Sequence, residues 1–255
     1  MRLLLIVGFV AALSTSVAAD PAIDTLLAAY PDHLARRDGN DLVWKDGARM
    51  PISDGRSGKT FEQLLNEPDI DDQFVYPYPL GPILKPPAVN ADPGRIRYQP
   101  FFVKMYGDCR RGDVIKRLKP VAWMPRRRGG TLRVTTVNGV ADRLAAVVRE
   151  LETLPAAMTR YLVPSAGTYN CRPIAHTNRL SVHAYGAAID ISTKFADYWE
   201  WSKGRSGAFT WRNRIPAEIG AAFERHGFIW GAKWHHMDSM HFEYRPELIA
   251  LAKKS

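Results

Sequence analysis

SVHAYGAAID (residues 181–190) sets a histidine and an aspartate seven positions apart with a glycine between them. On a continuous helix His183 and Asp190 would share a face. Gly186 and the β-branched Ile189, Ile191 and Thr193 argue against that helix. A loop feeding a strand fits better, because Gly186 permits a tight bend. Ala188 and Asp190 then point to one side of the strand with little bulk between them. Fifty residues on, DSMHFEY (residues 238–244) alternates as a strand does and puts His241 and Glu243 on one face, with Asp238 just before the strand. Six of the seven histidines lie between His176 and His241, so a metal site belongs in this half of the chain.

Two histidines and one carboxylate can hold a zinc ion and leave a fourth position free, which is the arrangement of hydrolytic zinc centres. Such chemistry needs a further carboxylate that is not a ligand, to carry the proton from water to the leaving amine. Asp238 is the candidate. Against this, a lone His or Asp in an apolar strand is more often a satisfied core group than a ligand, and spacing alone does not decide between the two.

The rest of the chain narrows the setting. MRLLLIVGFVAALSTSVAAD has one basic residue, a short apolar run and a small-residue end. Residues 1–19 therefore predict an export signal cut before Asp20. The apolar run is too short to span a bilayer, and no later segment is longer or more apolar. The expectation is an exported soluble protein, periplasmic or extracellular, with no membrane insertion after cleavage. At 46% hydrophobic and 24% charged residues the chain is globular rather than disordered. Export makes Cys109 and Cys171 a candidate disulfide, with two buried thiols as the other reading. The net charge of +9 owes much to residues 109–130, either a solvated face or a surface for an anionic wall polymer. Nucleic acid is the poorest partner for an exported protein.

DPAIDTLLAAY and TFEQLLNEPD read as short helices, the second with a Thr60–Gln63 capping box. Residues 76–100 hold seven prolines in 25 positions, so no regular element runs through them. They form a strap between an N-terminal extension, residues 20–100, and a main domain, residues 101–255. In that domain TLRVTTV is a strand. Val140, Leu144, Val147, Val148, Leu151 and Leu154 make one helical stripe. IPAEIGAAFERHGF is a second helix, leading into the strand FIW. Strands and helices do not alternate strictly, which predicts an α+β fold. Five of the seven tryptophans lie from Trp199 to Trp234, read mainly as core and lid packing.

With these motifs in hand, the sequence resembles a known family. SVHAYGAAID is similar to the Ser-x-His-x-x-Gly-x-Ala-x-Asp signature of zinc D-alanyl-D-alanine carboxypeptidases. DSMHFEY resembles the Asp-x-x-His-Phe ending of VanY-like carboxypeptidases and of phage endolysin L-alanyl-D-glutamate peptidases. The resemblance covers roughly residues 100–250. It implies a hedgehog/D-Ala-D-Ala-peptidase-like fold, with a central, mostly antiparallel sheet flanked by helices. It further implies one zinc ion per chain on His183, Asp190 and His241, with Asp238 as general acid/base and peptidoglycan stem peptides as substrate. GTYNCRP resembles the family's glycine-aromatic-x-arginine segment, so Arg172, helped by the Ser181 hydroxyl, would hold a substrate carboxylate. His236 is the weaker candidate for stabilising the oxyanion or supporting the ligands, while His176 and His226 are read as structural. The dipeptidase branch has glutamate where this chain has Asp238, which shifts the likeness toward the endolysin and VanY-like branches. A wall-binding module that keeps the zinc fold without catalysis is the alternative. An exported binder of acidic polymer through residues 109–128 is another.

Overall fold

Helix α1, Pro21–Ala29, begins where Asp20 accepts from the backbone N–H groups of Ala22 and Ile23, and Pro21 fills the first helical position without wasting a donor. The computed structural model describes residues 20–254; the export signal expected over residues 1–19 lies outside them. After α1, strands β1 (Leu34–Asp38), β2 (Asp41–Trp44) and β3 (Arg49–Pro51) form an antiparallel sheet in that order. Helix α2, Phe61–Asn66, carries the expected capping box: Thr60 accepts from Gln63 N–H, and the Gln63 side chain accepts from Thr60 N–H.

The proline-rich strap has no strand and no helix until α3, Gln99–Tyr106, apart from isolated turns. Its prolines offer carbonyls but no donors, and donors from the far end of the chain meet carbonyls of the strap's prolines and glycines. Lys233 Nζ donates to the carbonyls of Pro79 and Gly81 at 2.5 and 2.7 Å. Trp234 Nε1 donates to Pro93 at 2.7 Å, and Arg245 Nη1 to Gly94 at 2.9 Å. The strap is therefore anchored at Pro79, Gly81, Pro93 and Gly94, while residues 81–90 between these points are mostly exposed, and its course past Arg95 and Arg97 is fixed.

Strands β4 (Leu118–Ala122) and β5 (Thr131–Thr135) pair as an antiparallel hairpin. Helix α4, Val140–Leu151, buries Val140, Ala141, Leu144, Val147, Val148 and Leu151, the stripe expected from the sequence, with Leu154 half-buried beyond its end. It lies against β4, β5 and α6 (Ala217–Arg225), while the short helix α5, Thr159–Leu162, follows it. The third sheet has the order β6 (Ala188–Asp190), β8 (His241–Tyr244), β7 (Phe228–Trp230), all antiparallel. Helix α7, Pro246–Ala252, closes the described chain against α1.

The α+β class is as expected, but three small antiparallel sheets stand where one central sheet was anticipated. The second and third sheets approach each other at one hydrogen bond, Thr135 N–H to the Gly186 carbonyl at 3.0 Å. The left-handed turn at Gly186, φ +67°, takes the chain out of the extended conformation there, so the contact does not extend into a ladder. The main core cluster runs from Ile23 in α1 to Tyr244 in β8, and a smaller one gathers Tyr78, Ile229, Trp234, Leu248 and Ile249. Cys109 and Cys171 are joined in a disulfide 62 positions apart in sequence, as the paired reading expected. Among the described residues no helix is long and apolar enough to cross a membrane.

Candidate metal centre

Ser181 caps a single 3-10 turn, Val182–Tyr185, by accepting from His183 N–H. Gly186 ends that turn. A Cβ at Gly186 would sit 2.6 Å from Leu118 Cδ2 and 3.2 Å from Thr135 N, so the positive φ favours glycine and any side chain would also have to displace Leu118 and crowd the Thr135 backbone. The chain then enters β6, whose register with β8 sets Asp190 directly opposite His241 and Ala188 opposite Glu243. Opposed residues in an antiparallel pair present their side chains to the same face. The two motifs of the sequence are thus brought together by strand pairing.

Three atoms converge. His241 Nδ1 is 2.9 Å from Asp190 Oδ1, and His183 Nε2 is 3.2 Å from both that oxygen and His241 Nδ1. Two donors on a tetrahedral ion with bonds of about 2.0–2.1 Å lie roughly 3.3 Å apart, so the cluster has the size of a metal site. His183, Asp190 and His241 together form a group able to hold an ion.

The outer nitrogens support this. His183 Nδ1 lies 2.6 Å from the Thr168 carbonyl, which can only accept, so that nitrogen carries the proton and Nε2 is free to ligate. His241 Nε2 donates to Glu243 Oε2 at 3.1 Å, which leaves Nδ1 facing the cluster. Each histidine is oriented from behind by an oxygen, the usual support of a metal-bound imidazole. Glu243 is itself fully buried and gripped by Arg97, with Arg245 Nη1 at 3.5 Å. Burial would raise the Glu243 pKa, but Arg97, His241 and Arg245 outweigh it and hold the carboxyl well below its usual range. Burial likewise opposes ionisation of Asp190 and is overcome by His183 and His241. Burial disfavours a charged His241, yet hydrogen bonds to Asp190 and Glu243 lift it to about 10.

A cavity of about 360 Å³ opens in front of the cluster. Asp238 lines it, and its Oδ1 is shielded from solvent with no hydrogen-bond partner. Burial, reinforced by Asp190, raises Asp238 to about 6. Arg172 and Ser181 line the same cavity. Arg172 is exposed, its side chain donates to the Pro173 carbonyl, and it forms no ion pair among the described residues.

His236 lies elsewhere. Its Nδ1 meets Asp92 Oδ2 at 2.7 Å, its N–H donates to Asp92 Oδ1, and its ring stacks on Phe61. It does not border the cavity. Asp92, buried in the strap, offered a stronger acceptor than the cavity and drew the ring to that side. His236 acts on the site only through its carbonyl, which accepts from Arg95 Nη1 at 2.9 Å. His226 pairs with Glu150, in keeping with its structural reading. Of the tryptophans, Trp230 and Trp234 are buried, while Trp201 is exposed and lines the cavity.

Sequence reading missed Arg95 and Arg97, which reach the cavity from the strap. It also missed Glu243 as the support of His241, although Glu243 was already placed on the His241 face of the strand.

Residues 175–244 match the family described as D-alanyl-D-alanine carboxypeptidase. The resemblance read from the motifs holds over this segment. The carboxypeptidase-like segment contains His183, Asp190, Asp238 and His241, whereas Arg172 falls just before it and Arg95 and Arg97 lie in the strap far upstream. The match supports a peptidase of the peptidoglycan-acting kind. No curated protein and no solved structure matches the chain significantly.

Proposed function

We propose that the protein is an exported zinc metallopeptidase that hydrolyses peptidoglycan stem peptides, with one ion per chain held by His183, Asp190 and His241. The observation that carries this reading is the convergence of those three donors, each histidine backed by an oxygen, beside a carboxylate with an unsatisfied atom. Zinc in such a set acts as a Lewis acid toward a peptide carbonyl and the attacking water.

This chain's residues do the rest. Asp238, ionised above about pH 6, takes the proton of the attacking water and delivers it to the leaving amine. Arg172, open in the cavity, presents a planar fork to a substrate carboxylate. Ser181 lends its hydroxyl there and, through its cap on the His183 turn, fixes the first ligand. Arg97 holds Glu243, and Glu243 holds the His241 ring. Asp238 is what favours catalysis over a wall-binding module, which has no use for a half-buried carboxylate with a shielded, unpaired oxygen.

The test is replacement of Asp238 by Ala, followed by metal analysis and a stem-peptide assay. About one zinc per chain with cleavage reduced at least 100-fold supports the reading. Unchanged turnover removes Asp238 from the mechanism. Less than stoichiometric zinc in the wild-type protein, with no cleavage restored by added zinc, refutes the metallopeptidase itself.

A further inference from the structure

Beside the metal-site cavity lies a second cavity of about 370 Å³, and Arg95, Arg97 and Ile174 border both. Its other walls include Arg179, Tyr98 and residues 65–68. Three guanidinium groups therefore line one open cleft. Two of them are engaged. Arg95 donates to the His236 carbonyl and lies 3.8 Å from Asp92, and Arg97 pairs with Glu243.

Arg179 is different. Its Nε is shielded from solvent and has no acceptor, and no carboxylate among the described residues pairs with its side chain. Glu67, the carboxylate on the rim of this cavity, is taken by Arg56 at 2.6 Å. Burial together with the charges of Arg97 and Arg95 pushes the Arg179 pKa down to about 10. A half-buried cation facing two like charges is unfavourable unless an anion completes it.

We infer that the cavity bordered by Arg95, Arg97 and Arg179 is a carboxylate subsite, which takes a second acidic group of the same peptide whose scissile bond lies at the metal cluster. The inference rests on the peptidase reading above. The two cavities are neighbours across Arg95, Arg97 and Ile174, so one extended peptide bound at the cluster can place a second acidic group in reach of Arg179. A glutamyl residue linked through its γ-carboxyl leaves its α-carboxylate free, and a guanidinium fork binds such a group in bidentate fashion. The strap and residues 65–68, which form much of the subsite, lie outside the matched carboxypeptidase segment, while Arg179 lies within it.

The experiment compares two peptides, L-Ala-γ-D-Glu-L-Lys-D-Ala with its glutamyl α-carboxylate either free or amidated. Binding is measured by calorimetry on the full chain in the presence of chelator, so that no cleavage intervenes. The free acid is expected to bind roughly 10- to 100-fold more tightly than the amide. Arg179→Gln should abolish that preference, and Arg179→Lys should restore part of it, each variant being checked by thermal unfolding. Equal binding of the two peptides by the wild-type protein overturns the subsite and needs no variant. So does a preference that survives in a folded Arg179→Gln protein. Preference without zinc-dependent cleavage in a parallel assay keeps the subsite and refutes the peptidase; cleavage without preference does the reverse.

Discussion

Asp238 concentrates the chemistry and its cost. A carboxyl raised to about 6 in the fold, from a usual value near 4 in the unfolded chain, keeps a proton that the unfolded chain has lost. Stability contributed by its neutral form is present at low pH and falls as pH rises between about 4 and 6, after which the penalty is complete. In the metal-free protein, Asp238→Asn should therefore raise stability at pH 7 by about 1–3 kcal/mol. The gain should vanish below about pH 4, as denaturant titrations at the two pH values would show. A gain that is independent of pH would mean that Asp238 is not strained by its charge. His241 carries a related prediction. Asp190 and Glu243 hold it protonated to about pH 10 in the absence of an ion, so metal binding at pH 7 must release that proton. Calorimetry in buffers of different ionisation enthalpy should count about one proton per ion from this group.

At the scale of elements, the site depends on a strand register and the turn before it. Gly186→Ala would force a Cβ against Leu118 and the Thr135 backbone at positive φ. It should lower both thermal stability and metal affinity, whereas Gly204, exposed, free of a positive φ and with its nearest atom at 3.7 Å from a Cβ, should tolerate alanine better. Glu243→Gln keeps the shape but weakens the acceptor behind His241, and should cost roughly 10- to 100-fold in metal affinity. The disulfide ties the turn at Cys109 to the loop that presents Arg172. Reduction, or Cys109→Ser with Cys171→Ser, should cost roughly 4 kcal/mol in the chain-entropy model. Peptide binding should suffer more than metal content. These elements were readable in advance, because Gly186, the alternation of residues 241–244 and the stripe of α4 are local signals. The strap was not. Its prolines announce irregular backbone, but its path is set by Lys233, Trp234 and Arg245 from more than 130 positions away. Nothing local marks Arg95 and Arg97 as residues of the site, or Asp92 as the group that takes His236 away from it.

In the whole molecule, a buried polar chain joins the first helix to the metal cluster. Tyr30 donates to Glu247 at 2.6 Å, Arg245 bridges Glu247 and Glu243, and Glu243 holds His241. Fold and site therefore share one core, and the residues of the N-terminal extension are part of it. The basic run at residues 109–130 is largely engaged nearby: Arg110 with Asp108, Arg111 with Asp113, Lys119 with Asp142 and Arg126 with Glu152. Arg127 caps the carbonyls of Glu152, Leu154 and Pro155. Lys116, Arg117 and Arg128 form no ion pair among the described residues, so part of the run stays free, while the arginines of the two cavities are the charges beside the metal cluster. The measurement that bears most directly on the account is digestion of purified peptidoglycan with the zinc-loaded protein, with and without chelator, and mass spectrometry of the products. A chelator-sensitive product is expected, either stem peptides shorter by one alanine or stems split internally. Intact stems under both conditions, with zinc bound at one ion per chain, would contradict it.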